Sequence, residues 1–132
     1  MSRPVESRSD GLTVLIVEDE VPIAEVVASV VTEAGYTPLV APNGRQALEM
    51  ARAHHPALVI TDLMMPHLTG AELIAMLRAE AKASGRAAMP IILMTAASLA
   101  RARTAQADAV LCKPFDLTQL DALLRRFLRP VA

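Results

Sequence analysis

A chain of 132 residues with 53% apolar side chains carries enough hydrophobic surface for one core, and its formal net charge of -1 gives no electrostatic reason to expect nucleic acid or an anionic membrane as a partner. The opening MSRPVESRSDG holds no apolar run and no later stretch approaches bilayer length, so neither export nor membrane insertion is expected and the cytoplasm is the default location. The single cysteine, Cys112, excludes an internal disulfide and is expected to be a small buried hydrophobe.

Residues 1–11 read as a flexible N-terminal segment ahead of one domain over 12–129. LTVLIV (12–17) is β-branched and apolar without alternation, the pattern of a strand covered on both faces. Ile23, Val26, Val27, Val30, Val31 and Ala34 follow at helical spacing and stop at Gly35, which suits the position just past a helix C-terminus. YTPLVA (36–41) reads as a short edge strand, because Pro38 has no N–H for the ladder. Asn43 then caps a helix with Gln46 in its first turn and Ala47, Leu48 and Ala51 facing inward.

ALVI (57–60) is the third apolar strand, and Thr69 with Glu72 forms a capping box opening a helix that carries Leu73, Ile74 and Leu77. PIILM (90–94) is a fourth strand, followed by an Ala- and Arg-rich stretch, 98–106, that reads as a short helix. AVLC (109–112) is the fifth strand, and Asp116 with Gln119 opens a last helix marked by Leu120, Leu123, Leu124 and Phe127. Strands and helices alternate five times. This predicts a doubly wound parallel α/β sheet with helices on both faces, where ligands gather at the carboxyl ends of the strands.

Four strands run straight into polar residues: the first into Glu18, Asp19 and Glu20, the third into Asp62, the fourth into Thr95, the fifth into Lys113. In a parallel sheet these ends share one edge. Two carboxylates about 4 Å apart repel by about 4 kcal/mol at the effective dielectric of a protein surface, so such a gathering calls for a divalent cation. An all-oxygen ligand set suits Mg²⁺, with Mn²⁺ the alternative; Zn²⁺ is disfavoured because no His or Cys is placed to bind it. With a hydroxyl and an ammonium added, the cluster makes a site for a phosphoryl group, and Asp62, alone at its strand end, takes the nucleophile's role.

At this point VLIVEDE, DLMMPHLTG, ILMTA and CKPF together resemble the response-regulator receiver domain of two-component phosphorelay signalling, over residues 12 to about 128. The resemblance implies a flavodoxin-like (βα)5 fold with strand order 2-1-3-4-5. It also implies that Asp62 accepts a phosphoryl group from a sensor histidine kinase, a histidine phosphotransfer protein or a small phosphodonor. Asp19, Asp62 and the backbone carbonyl of Met64 would bind Mg²⁺ directly, and Glu18, where aspartate is also common, would act through a water. Thr95 and Lys113 would hold phosphoryl oxygens, and the Lys113–Pro114 peptide would be cis.

Two departures stand out. The position third before the lysine is usually aromatic and turns inward with the threonine on phosphorylation, but here it is Val110, whose few rotamers and small area cannot make a large ring movement. Thr95 and Lys113 also lie about one helical turn closer in sequence than the family implies, so an atypical switch region with a short fourth helix is expected. Only Pro130, Val131 and Ala132 follow the last helix, so the expectation is a stand-alone, non-enzymatic receiver acting on a separate downstream protein. The competing expectation is a receiver-like interaction module that works without phosphorylation. An aspartyl phosphatase is disfavoured because Met64 stands where a second carboxylate is normally required, and a dinucleotide enzyme because no glycine-rich fingerprint follows the first strand. His54, His55 and His67 read as surface loop residues, and Met64 and Met65 as packing, with shielding of an acyl phosphate from water the alternative for Met64. The arginines 101, 103, 125, 126 and 129 read as a solvated basic face.

Overall fold

β1 (Thr13–Val17), β2 (Thr37–Ala41), β3 (Leu58–Asp62), β4 (Ile91–Thr95) and β5 (Ala109–Cys112) form one parallel sheet in the order β2-β1-β3-β4-β5. The computed structural model describes residues 12–96 and 105–128. The proposed lead-in 1–11 and most of the expected helix at 98–106 lie outside them. Among the described residues the connecting helices are α1 (Val21–Glu33), α2 (Gly44–His54), α3 (Gly70–Ala83) and α4 (Leu117–Phe127).

The apolar strands predicted to be covered twice are covered twice. On one face Val14, Ile16, Ile60, Ile92 and Met94 pack with Val27 and Val31 of α1 and Leu120 and Leu124 of α4. On the other, Leu15, Val17, Val59 and Leu93 pack with Ala47 and Leu48 of α2 and Leu73, Ile74 and Leu77 of α3. Every residue of β3 and β4 is buried. At about 25 cal/mol per Å² of apolar surface, this two-sided burial is the main term holding the layers together.

Helix boundaries follow the cap chemistry. Asn43 Oδ1 accepts from Gln46 N at 2.8 Å at the start of α2, and Thr69 and Glu72 form the reciprocal capping box of α3. Asp116 and Gln119 do the same for α4, and Gly35 takes the left-handed φ of 97° after α1. The expected edge strand is at the edge, with Pro38 in it.

Three expectations are corrected. Cys112 is exposed: it is the last residue of β5, which is an edge strand of the sheet. Val26 is 43% exposed rather than inward, the stripe of α1 being carried by Ala24, Val27, Val30 and Val31. Met64 is 54% exposed, so of the two methionines it is Met65 that is buried in the core. No helix among the described residues is long and apolar enough to cross a membrane.

Candidate functional site

The carboxyl ends of β1, β3, β4 and β5 bring Glu18, Asp62, Thr95 and Lys113 to one rim. Lys113 Nζ donates to Glu18 Oε1 at 3.0 Å and lies 3.4 Å from Asp62 Oδ2, so one ammonium bridges acids delivered by two strands. The Glu18 side chain is fully buried and that of Lys113 is 17% exposed, which makes this pair unlike the solvent-screened ion pairs elsewhere on the surface. The second carboxylate oxygen of Glu18 accepts from Glu20 N at 3.2 Å.

Burial raises the Glu18 carboxyl above its ordinary range, with the Asp62 charge adding to the rise, while the hydrogen bonds from Lys113 and the Glu20 backbone oppose it. For Lys113 burial acts downward. Its hydrogen bond to Glu18 and the negative charges of Asp62 and Glu18 outweigh that, and the ammonium is held above the usual lysine value. Among the described residues, the Lys113 ammonium is the cation placed against both Glu18 and Asp62.

Asp19 and Glu20 are exposed beside Glu18, and one carboxylate oxygen from each of the three acids lies within 4.8 Å of the others. A donor set made only of carboxylate oxygens, open to water on one side, fits a hard divalent ion of the Mg²⁺ or Mn²⁺ type. Thr95 is fully buried at the end of β4, and its carbonyl accepts from Lys113 N at 2.8 Å, which fixes the β5 exit against β4. The peptide that follows, Lys113–Pro114, is cis.

Asp62 closes β3 with 6% exposure. Its loop is held from two directions: Leu63 N donates to Met94 O at 2.9 Å, and Gly70 N, at the first turn of α3, donates to Leu63 O at 2.8 Å. A side chain at position 70 would put its Cβ 2.3 Å from the Asp62 carbonyl oxygen, so only glycine permits this approach of helix to strand end. Met64, two residues past Asp62, is on the exposed side of the loop, and His67 further along holds a left-handed φ of 71°.

Val110 is not at this rim. It is half-buried on β5 and packs against the α2–α3 side of the core, opposite Leu93 of β4. Sequence reading did not anticipate the Gly70 contact, the direct Glu18–Lys113 bond or the apolar groove beside the rim. That groove, of about 480 Å³, is lined by Ile23 and Val26 of α1, Ala96, Lys113, Phe115 and Leu117. The signal for it was present in α1, which carries more apolar positions than one buried stripe needs.

Comparison with known proteins places these features. The family model described as the response regulator receiver domain matches residues 14–125. The probable transcriptional regulatory protein TcrX of Mycobacterium tuberculosis is 33% identical over 128 aligned positions, covering 92% of this chain and 53% of TcrX. The transcriptional regulatory protein CusR of Escherichia coli is 35% identical over 122, covering 89% of this chain and 52% of CusR. The chain therefore spans about half the length of these relatives. Among solved structures, the Thermotoga maritima response regulator TrrA, crystallised with Mg²⁺ and BeF, superposes with a TM-score of 0.77 at 30% identity, covering 88% of this chain and 98% of TrrA. The receiver domain of Saccharomyces cerevisiae Ssk1, crystallised with the histidine phosphotransfer protein Ypd1, gives 0.80 at 26%, covering 88% of each chain.

Proposed function

The chain belongs to the response regulator receiver domain family, and from that premise we propose that it accepts a phosphoryl group on Asp62 from a histidine kinase or a histidine phosphotransfer protein in a Mg²⁺-dependent reaction. The observation that carries this reading is the single ammonium of Lys113 shared between Glu18 and Asp62 at the end of β1, β3 and β5. It supports a rim built to hold concentrated negative charge.

In this reading an Asp62 carboxylate oxygen attacks the phosphorus of a donor phosphohistidine. A P–O bond forms, the P–N bond breaks, and the imidazole leaves. Lys113 moves from the acids to a phosphoryl oxygen, and the Thr95 hydroxyl donates to another. Asp19, Asp62 and the Met64 carbonyl would hold Mg²⁺, with Glu18 acting through a water. When bound, the ion neutralises the phosphoryl charge and lines up the reacting oxygens. The remaining contribution of the chain is positioning, because the strand ends are rigid and α3 is locked against the Asp62 carbonyl. The test is incubation with acetyl phosphate and Mg²⁺, read by intact mass: gain of one phosphoryl group supports the reading, and no gain with well-folded protein defeats it.

The donor's phosphohistidine must reach Asp62 over neighbouring surface, and the groove beside the rim is the apolar part of that surface. It shares Lys113 as a wall, and Val26 and Leu117 leave 43% and 48% of their surface exposed there. A helix carrying the phosphohistidine is the partner that fits, its apolar residues set against α1. Accordingly, Val26→Glu is expected to slow phosphotransfer from a protein donor at least tenfold while leaving uptake from acetyl phosphate unchanged, which parallel time courses would resolve.

The output side departs from the family pattern. Val110 cannot swing as a ring does, so the response to phosphorylation passes through the backbone of β4 and β5, joined at Thr95 O and Lys113 N.

A further inference from the structure

We propose that Thr61 is a positioning residue for Asp62, acting through its hydroxyl; the inference rests on the reading of Asp62 as phosphoacceptor. Thr61 precedes Asp62 on β3 and is fully buried. Its register partners are Val17 on β1 and Leu93 on β4, and both of those belong to the apolar cluster under α2 and α3. Leu58, Val59 and Ile60, which precede it on the strand, are apolar as well. A hydroxyl is therefore out of pattern in this row, where valine has nearly the same shape and no polar group to satisfy.

The hydroxyl is not turned to solvent or to a neighbouring strand's side chain. Thr61 Oγ1 donates to the carbonyl oxygen of Asp62 at 3.0 Å. This same oxygen faces Gly70, whose missing side chain lets α3 come up against it. One atom of the phosphoacceptor's own backbone is thus held by a buried hydroxyl on one side and by the first turn of α3 on the other. The next peptide is tied down by Leu63 N to Met94 O and Gly70 N to Leu63 O. With the Asp62–Leu63 peptide unable to rotate, the Asp62 side chain leaves the strand in one direction, and the loop to Met64 starts from a fixed point.

Burying a hydroxyl on a well-made hydrogen bond adds little to stability over an apolar residue of the same shape, so stability alone does not account for threonine here. Orientation does: a reacting group held in its productive direction gains rate without any change in donor affinity.

The test compares wild type, Thr61→Val and Thr61→Ser by phosphoryl uptake from acetyl phosphate with saturating Mg²⁺, alongside urea unfolding of each. Thr61→Val should lower the rate at saturating donor by about three- to tenfold, the equivalent of one neutral hydrogen bond, with the half-saturating donor concentration unchanged. Thr61→Ser should restore the rate although, lacking the methyl group, it is the less stable of the two variants. That crossing of rate and stability is what a merely structural role does not produce. Rates that follow stability across the three proteins, or a Thr61→Val rate equal to wild type, overturn the inference while leaving the phosphoacceptor reading intact. A wild type that takes up no phosphoryl group overturns that reading and this inference with it.

Discussion

Asp62→Asn is expected to take up no phosphoryl group from acetyl phosphate under conditions in which wild type is modified, and to remain folded. The amide is nearly isosteric with the carboxylate but lacks its nucleophilic oxygen charge, so the P–O bond does not form at this position. Folding survives because the position is closed by backbone contacts, Leu63 N to Met94 O and the approach of Gly70 to the Asp62 carbonyl, which the substitution leaves untouched. Removing the Asp62 charge relieves its repulsion of Glu18 but also removes its ion pair with Lys113, so stability in the absence of Mg²⁺ should change little. Intact-mass and thermal-unfolding measurements on the same samples separate the two effects. Equal modification of the mutant and wild type would place the acceptor elsewhere, on Asp19 or Glu20.

Lys113→Met should produce the largest loss of stability of any single change at the rim. Glu18 has a fully buried side chain whose one cationic partner among the described residues, 3.0 Å away, is this ammonium, and Asp62 lies 3.4 Å from the same nitrogen. Deleting one member of a buried pair leaves the other without compensation, at a cost of about 3 kcal/mol, reduced to the extent that Glu18, already raised by burial, takes up a proton instead. Mg²⁺ should return much of this loss, and should bind the mutant more tightly than wild type, because no resident ammonium competes for the acids. Urea unfolding with and without Mg²⁺ reads both expectations. A mutant as stable as wild type in metal-free buffer would mean that the Lys113 bridge carries no load in the resting protein.

Much of this architecture is legible in the residues because local and global signals agree. Doubly covered strands leave apolar runs without alternation, as in LTVLIV and PIILM, and each run ends where the sheet's polar edge begins. The capping boxes at Thr69 and Asp116 mark helix starts to the residue, since their side chains satisfy specific backbone N–H groups.

What stays hidden depends on which atoms meet across the fold. Hydrophobic spacing in α1 does not distinguish Val27, which is buried, from Val26, which lies one position around the helix and lines a groove. Cys112 looks like a core residue in an apolar strand, and only the packing of β5 shows that its last position is exposed. Gly70 reads as an ordinary helix start, and only the packing of α3 onto β3 shows that a methyl group there would strike the Asp62 carbonyl. Thr61 likewise reads as one more β-branched strand residue; its hydroxyl matters because the chain turns at Asp62 and brings a carbonyl within reach.

The convergence of acids from β1 and β3 on one divalent ion beside Asp62 is tested most directly by titrating the isotopically labelled protein with Mn²⁺ and following paramagnetic loss of backbone amide signals. The amides of Glu18, Asp19, Glu20, Asp62, Leu63 and Lys113 should vanish together at the lowest ion concentrations, and those of Ala57 and Met89, at the opposite end of the strands, should persist. Loss centred away from Asp62, or spread evenly over the exposed acids, would contradict it.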